Sequence, residues 1–130
     1  MRTWILAGIL LAASSGAALA QDAAAGEKVF KTQPCFVCHS IGEGASVKLG
    51  PPLNGLDGRK AASFPNFNYS PATRGAGITW NEENFKKFIA DPQGTIPGTT
   101  MGFAGIKTPQ DVSDLWAYVK QFDADGKVKK

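Results

Sequence analysis

Cys35-Phe36-Val37-Cys38-His39 is the stretch on which the reading of this chain turns. Two thiols three positions apart on one helical turn, with an imidazole directly after the second, have the C-x-x-C-H spacing of c-type haem attachment. Each thiol can add to one haem vinyl group, and the adjacent His then turns a ring nitrogen towards the iron. The run uses both cysteines and the only histidine of the 130-residue chain. A structural zinc site would need two more Cys or His ligands, which the sequence does not contain. A thioredoxin-like pair would need a strand-to-helix setting, whereas Gly26 to Gln33 carries a helical pattern and no βαβ pattern follows. A short-loop disulfide would leave His39 unexplained.

Upstream, Met1-Arg2 precedes an apolar run from Trp4 to Ala13, then small residues ending Ala18-Leu19-Ala20. Such a basic, then apolar, then small-residue order is that of a secretory signal peptide, with cleavage expected before Gln21. Ser14, Ser15 and Gly16 interrupt the apolar run well short of the roughly 20 residues that a spanning helix needs, so no stable membrane insertion is expected. Residues 1–20 are therefore read as a cleaved leader and 21–130 as one domain exported to the periplasm. Both cysteines then sit in a compartment where the attachment chemistry is available.

The composition agrees with one small globular domain: 43% of residues are hydrophobic and 19% charged. Without Arg2 the mature chain has 13 Lys and Arg against 11 Asp and Glu, a net charge of +2, too weak a balance to argue for nucleic acid. Lys127, Lys129 and Lys130 read as a solvated tail. Fifteen Gly and eight Pro leave a thin core that a bound prosthetic group would help to fill.

Downstream, the mature chain has a single methionine, Met101, in Ile96-Pro97-Gly98-Thr99-Thr100-Met101-Gly102-Phe103-Ala104-Gly105. A lone Met is ordinarily core filler, but this one lies in a loop whose glycines suit a backbone laid close against a flat cofactor. A His/Met pair fills both axial positions of a haem and raises its potential, leaving no open position for substrate or oxygen. No catalytic residue is expected. After His39, Gly42 to Gly58 is rich in turns; Pro51 could accept a hydrogen bond from the far nitrogen of the His39 ring, or Pro51 and Pro52 could simply stiffen the loop.

Two helices are expected beyond Gly26–Gln33. One covers Glu82 to Asp91, capped by Asn81 or Thr79, with Phe85, Phe88 and Ile89 on one face and a stop at Asp91-Pro92. The other starts from Thr108 as N-cap with Pro109 in its first turn, carries Val112, Leu115, Trp116, Val119 and Phe122, and frays at Gly126. The fold class is all-α.

From Gly26 to about Phe122 these residues together resemble class I cytochrome c, closest to mitochondrial cytochrome c and short bacterial cytochromes c2. The resemblance implies a small cytochrome c fold, with helices wrapped around one covalent haem c on Cys35 and Cys38 and with His39 and Met101 as axial ligands. It implies that Gly26, Phe30, Leu115 and Tyr118 make the crossing of the first and last helices. It also implies that Pro51 holds the ligand His through its carbonyl, and that Arg59, Tyr69, Trp80 and Thr99 hydrogen-bond or neutralise the haem propionates, which are costly to bury without partners.

The resemblance is not uniform. Phe88 stands where the family often has a Tyr that contacts the Met sulfur, and Thr73 stands in place of a common Asn. One extra residue lies between Phe30 and Cys35. Lysines that ring the haem edge in mitochondrial members are Pro34, Gln93 and Thr100 here, leaving Lys28, Lys31, Lys48 and Lys107 as docking charges. The resemblance implies a monomeric periplasmic carrier of single electrons, not an enzyme. Its implied partners are a bc1-type complex, a terminal oxidase, a photosynthetic reaction centre or a periplasmic dehydrogenase.

Overall fold

A computed structural model describes residues 20–130, so the expected leader lies outside the described residues except for Ala20. Six helices follow one another: α1 Ala23–Thr32, α2 Cys35–Cys38, α3 Pro71–Arg74, α4 Glu82–Ala90, α5 Pro92–Thr95 and α6 Pro109–Lys120. Among the described residues, β structure is confined to two isolated antiparallel bridges, Lys60 with Thr79 and Phe122 with Val128. The chain is all-α, as expected.

Helix α1 starts three residues before Gly26 because the Asp22 carboxylate accepts from the backbone of Ala24 at 2.9 Å and Ala25 at 3.1 Å. An acidic N-cap satisfies amides that the first turn cannot, and it complements the positive end of the helix. Asn81 caps α4 by accepting from Asn84 N–H at 2.9 Å, which settles the choice between Asn81 and Thr79. That helix ends at Ala90, as the Asp91-Pro92 pair predicts, but Pro92 then opens a new turn, α5, for which Asp91 is the cap. Ser70-Pro71 does the same for α3.

The frame is the crossing of α1 and α6. Gly26 is buried with its α-carbon against the Asp114 carbonyl and the Tyr118 side chain, so any Cβ there would occupy space already filled. Phe30 and Tyr118 pack at 5.7 Å between ring centroids, and Leu115 is 2% exposed. All four residues expected at the crossing are at it. The end of α1 is also tied down, because Asp114, buried within α6, accepts from Asp22 N–H at 3.0 Å and from the Gln110 amide at 2.8 Å. Helix α4 adds Phe85, Phe88 and Ile89 to the same core, with Phe85 5.0 Å from Trp116.

One expectation changes. The chain beyond α6 does not fray at Gly126. Phe122 bridges Val128, Asp123 accepts from the backbone of Asp125 and Lys127 at 2.9 Å each, and Gly126, at φ 82°, sits directly against the Gly42 carbonyl. This closed tail braces the turn-rich segment that follows His39, where Gly55 N–H reaches the Phe122 carbonyl at 3.2 Å. The ion pairs among the described residues are Glu27–Lys31, Glu82–Lys86 and Glu83–Lys87, surface pairs one helical turn apart that contribute little each.

Candidate functional site

The helices and loops enclose a cavity of about 560 Å³. Its walls are mainly apolar: Phe30 comes from α1, Phe85, Phe88 and Ile89 from α4, and Leu115 and Val119 from α6, with Leu53, Leu56, Phe67 and Phe103 from loops. The volume falls within the roughly 300–1,000 Å³ of small-molecule and cofactor sites. Cys35, Cys38, His39, Pro51, Arg59, Tyr69, Trp80, Thr99 and Met101 all line it. The fold therefore brings every residue singled out by the sequence to one place.

At one wall, α2 is a single turn. His39 N–H donates to the Cys35 carbonyl at 2.8 Å, which sets both thiols and the imidazole on consecutive positions of one short coil. Both thiols are free and half-buried, and burial pushes the Cys35 thiol up to about 11. The His39 Nδ1 lies 2.8 Å from the Pro51 carbonyl. A carbonyl can only accept, so Nδ1 carries the proton and Nε2 keeps its lone pair. Pro51 thus does more than stiffen its loop. Burial, the largest influence on His39, lowers its pKa, although the Pro51 hydrogen bond works the other way. The ring is held neutral, the form that binds metal.

Gly50 makes this geometry available. A Cβ there would run into the His39 ring, and Gly50 N–H donates to the Cys38 carbonyl at 2.8 Å. The loop is locked further on by a pair of reciprocal bonds that the sequence did not announce, the Asn54 side chain accepting from Gly42 N–H at 2.8 Å and donating to the Gly42 carbonyl at 2.9 Å.

The Met101 loop has its own clamp. The Gln93 amide donates to the Thr99 carbonyl at 2.9 Å and accepts from Gly98 N–H at 3.3 Å, while Thr99 Oγ1 accepts from Met101 N–H at 3.3 Å. Thr99 is buried and Met101 packs against the core. Phe88 is 8% exposed and stacks on Trp80 at 5.1 Å, so a ring without a hydroxyl lines this part of the cavity.

Arg59 is the one charged side chain on the lining. Its Nη1 donates to the carbonyls of Pro52 at 2.9 Å and Asn54 at 3.1 Å, its guanidinium lies 5.6 Å from the Phe64 ring centroid, and burial lowers its pKa. No carboxylate among the described residues pairs with it. Tyr69 OH accepts from Phe64 N–H at 3.2 Å, and Trp80 is fixed through backbone bonds to Gly58 and Arg59. Ser70 and Thr73 add hydroxyls to the lining, 2.9 Å apart, with Ser70 also capping α3. The Ser70-Pro71 pair is an N-cap signal that could have flagged them.

The donor set fits a covalently held, flat, amphiphilic cofactor: two thiols, one imidazole with its far nitrogen tied back, one thioether, apolar walls, and a buried cation short of an anion. Similarity to known proteins points the same way. The family model for Cytochrome c matches residues 23–123. The chain belongs to the cytochrome c family. As a cytochrome c it carries one covalently bound c-type haem and serves in electron transport. It is similar to cytochrome c2 of Blastochloris viridis, 56% identical over 99% of this chain and 100% of that one. It is also similar to cytochrome c-550 of Bradyrhizobium diazoefficiens, 53% identical over 83% of this chain and 78% of the relative. Among solved structures, cytochrome cH from Methylobacterium extorquens superposes with a TM-score of 0.70 at 41% identity, covering 76% of this chain and 97% of that one. No helix among the described residues is long and apolar enough to cross a membrane.

Proposed function

We propose that Cys35 and Cys38 hold the haem by thioether bonds, that His39 and Met101 are its axial ligands, and that the chain is a periplasmic single-electron carrier rather than an enzyme. The observation that carries this reading is the His39 Nδ1–H bond to the Pro51 carbonyl, 2.8 Å long, which leaves Nε2 free on a ring lining the same cavity as both thiols and Met101. When bound, the haem supplies the one-electron couple.

The chain's own residues supply a frame that need not move. The Pro51 carbonyl fixes the His39 tautomer and strengthens Nε2 as a donor. Gln93 and Thr99 hold the Met101 loop, so the thioether stays in place in both redox states. Phe30, Phe88, Phe103 and Trp80 form an apolar wall that limits water. Arg59, Tyr69, Trp80 and Thr99 face the propionates, and the unpaired buried guanidinium offsets an anionic group that would otherwise be costly to bury. Residues 1–20 act as the cleaved export signal, and the mature monomer shuttles between respiratory, photosynthetic or dehydrogenase partners through brief encounters, which bury small interfaces.

The test is optical. The pyridine haemochrome of the periplasmic protein should be c-type, its ferric form should show the Met-to-iron charge-transfer band, and Met101→Ala should abolish that band. A ferric spectrum unchanged in Met101→Ala overturns the ligand assignment. Rapid binding of carbon monoxide by the unmodified protein would instead support an open-site, catalytic haem protein, a reading that Phe88 favours because it offers no hydroxyl to steady the Met101 sulfur.

A further inference from the structure

The cavity-lining residues that reach the surface are Pro34, Leu49, Thr100 and Gly102, and none is charged. Around Leu49, 78% exposed, lie the other large apolar side chains left in solvent near the thiols: Phe36 at 48%, Val37 at 55% and Val47 at 43%. Phe36 and Val37 are the two residues between the cysteines. The Lys48 ammonium donates to the Phe36 carbonyl at 2.8 Å, and Gly50 N–H to the Cys38 carbonyl, so residues 47–50 lie alongside residues 35–38 as one surface. Scattered exposed apolar residues mean little, but a contiguous group at the rim of a functional cavity marks a contact site.

The charges that might steer a partner here are largely engaged. Lys31 is ion-paired with Glu27 at 2.7 Å, Lys107 donates to the Ala90 carbonyl at 2.6 Å, and Lys48 is held as described. We propose that this electron carrier docks its redox partner through the Phe36, Val37, Val47 and Leu49 patch. The partner's complementary surface is an uncharged apolar collar around its own electron-entry point, with at most one acidic group to meet Lys48. The inference rests on the single-electron-carrier reading above. Its signature is an encounter driven by desolvation, hence nearly indifferent to salt, where a lysine-ringed carrier slows steeply as salt rises.

The experiment uses the holoprotein and Blastochloris viridis membranes stripped of their own cytochrome c2, with the second-order electron-transfer rate read from low to high KCl. The expected result is a salt dependence under about threefold, with Leu49→Ser and Val37→Ser each slowing the reaction roughly tenfold at every salt concentration. Both variants should keep the parent spectrum, midpoint potential and rate with hexacyanoferrate, because both side chains lie in solvent. A tenfold or larger fall with salt, or full speed in both variants while hexacyanoferrate still reacts, overturns the patch and leaves the carrier reading intact. Failure to exchange electrons with hexacyanoferrate overturns both. A dimer in sedimentation that Leu49→Ser abolishes would make a second copy the occupant and also overturn the proposal.

Discussion

At the scale of single residues, Gly50 and Phe88 govern the site by what they lack. Gly50 has no Cβ, and the His39 ring occupies that space. Gly50→Ala should force the ring or the Pro51 carbonyl to shift and cost about 1–3 kcal/mol, as overpacking does. Guanidinium titrations of the holoprotein, followed at the haem band, should show a lower midpoint; an unchanged midpoint would mean that the loop yields freely. Phe88 lacks a hydroxyl. Phe88→Tyr brings a donor to the lining it shares with Met101, and a hydrogen bond to the sulfur makes it a poorer donor to iron, which favours the reduced form. The midpoint potential should therefore rise, and a redox titration that superposes on the parent would remove the sulfur contact from consideration. The Cys35–His39 run was legible because its chemistry is local, and Met101 because the mature chain has no rival. Asn54 and Gln93 were not legible, since their bonds to Gly42 and to Gly98 and Thr99 depend on loop shapes that no periodicity records.

At the scale of elements, the crossing of α1 and α6 is what fixes the first wall of the cavity. Phe30 and Leu115 line it from the two sides of that contact. Gly26→Val should be the most damaging single change at the crossing, because the added atoms meet the Asp114 backbone, which has nowhere to retreat. Asp22→Ala removes only a cap and should cost about 1 kcal/mol. Thermal melts of the two holoproteins should rank in that order; a Gly26→Val protein as stable as Asp22→Ala would mean that the helices can separate without loss. Helices α4 and α6 were legible from their apolar spacing and caps. The four-residue helices α3 and α5 were not, being too short for any spacing to show, although each begins with a polar cap followed by Pro. The tail was misread because Gly126 is the usual mark of a helix end, while its actual contact, with Gly42, is distant in sequence.

At the scale of the whole molecule, the cavity is large for the core that surrounds it. Unfilled apolar space costs about 24 cal/mol per Å³. A cavity of about 560 Å³ then represents a penalty on the order of 10 kcal/mol, comparable with the entire stability of a small domain. The chain made without haem, for instance as Cys35→Ala with Cys38→Ala, should be unfolded at neutral pH. Circular dichroism should show little helix and no cooperative melt; a native-like melt would show that the helices support themselves.

The buried thiol gives this a direction in time. A Cys35 sulfur pushed up to about 11 is almost wholly protonated near neutrality, a poor nucleophile inside a finished wall. Bond formation belongs, then, to the loose polypeptide freshly delivered across the membrane, before α1 and α6 meet. The attachment apparatus reads a five-residue word in an open chain, Cys35 to His39, with the fold as its sequel. Substitutions at the helix crossing should spare cofactor loading and show themselves only afterwards, in how long the loaded molecule survives.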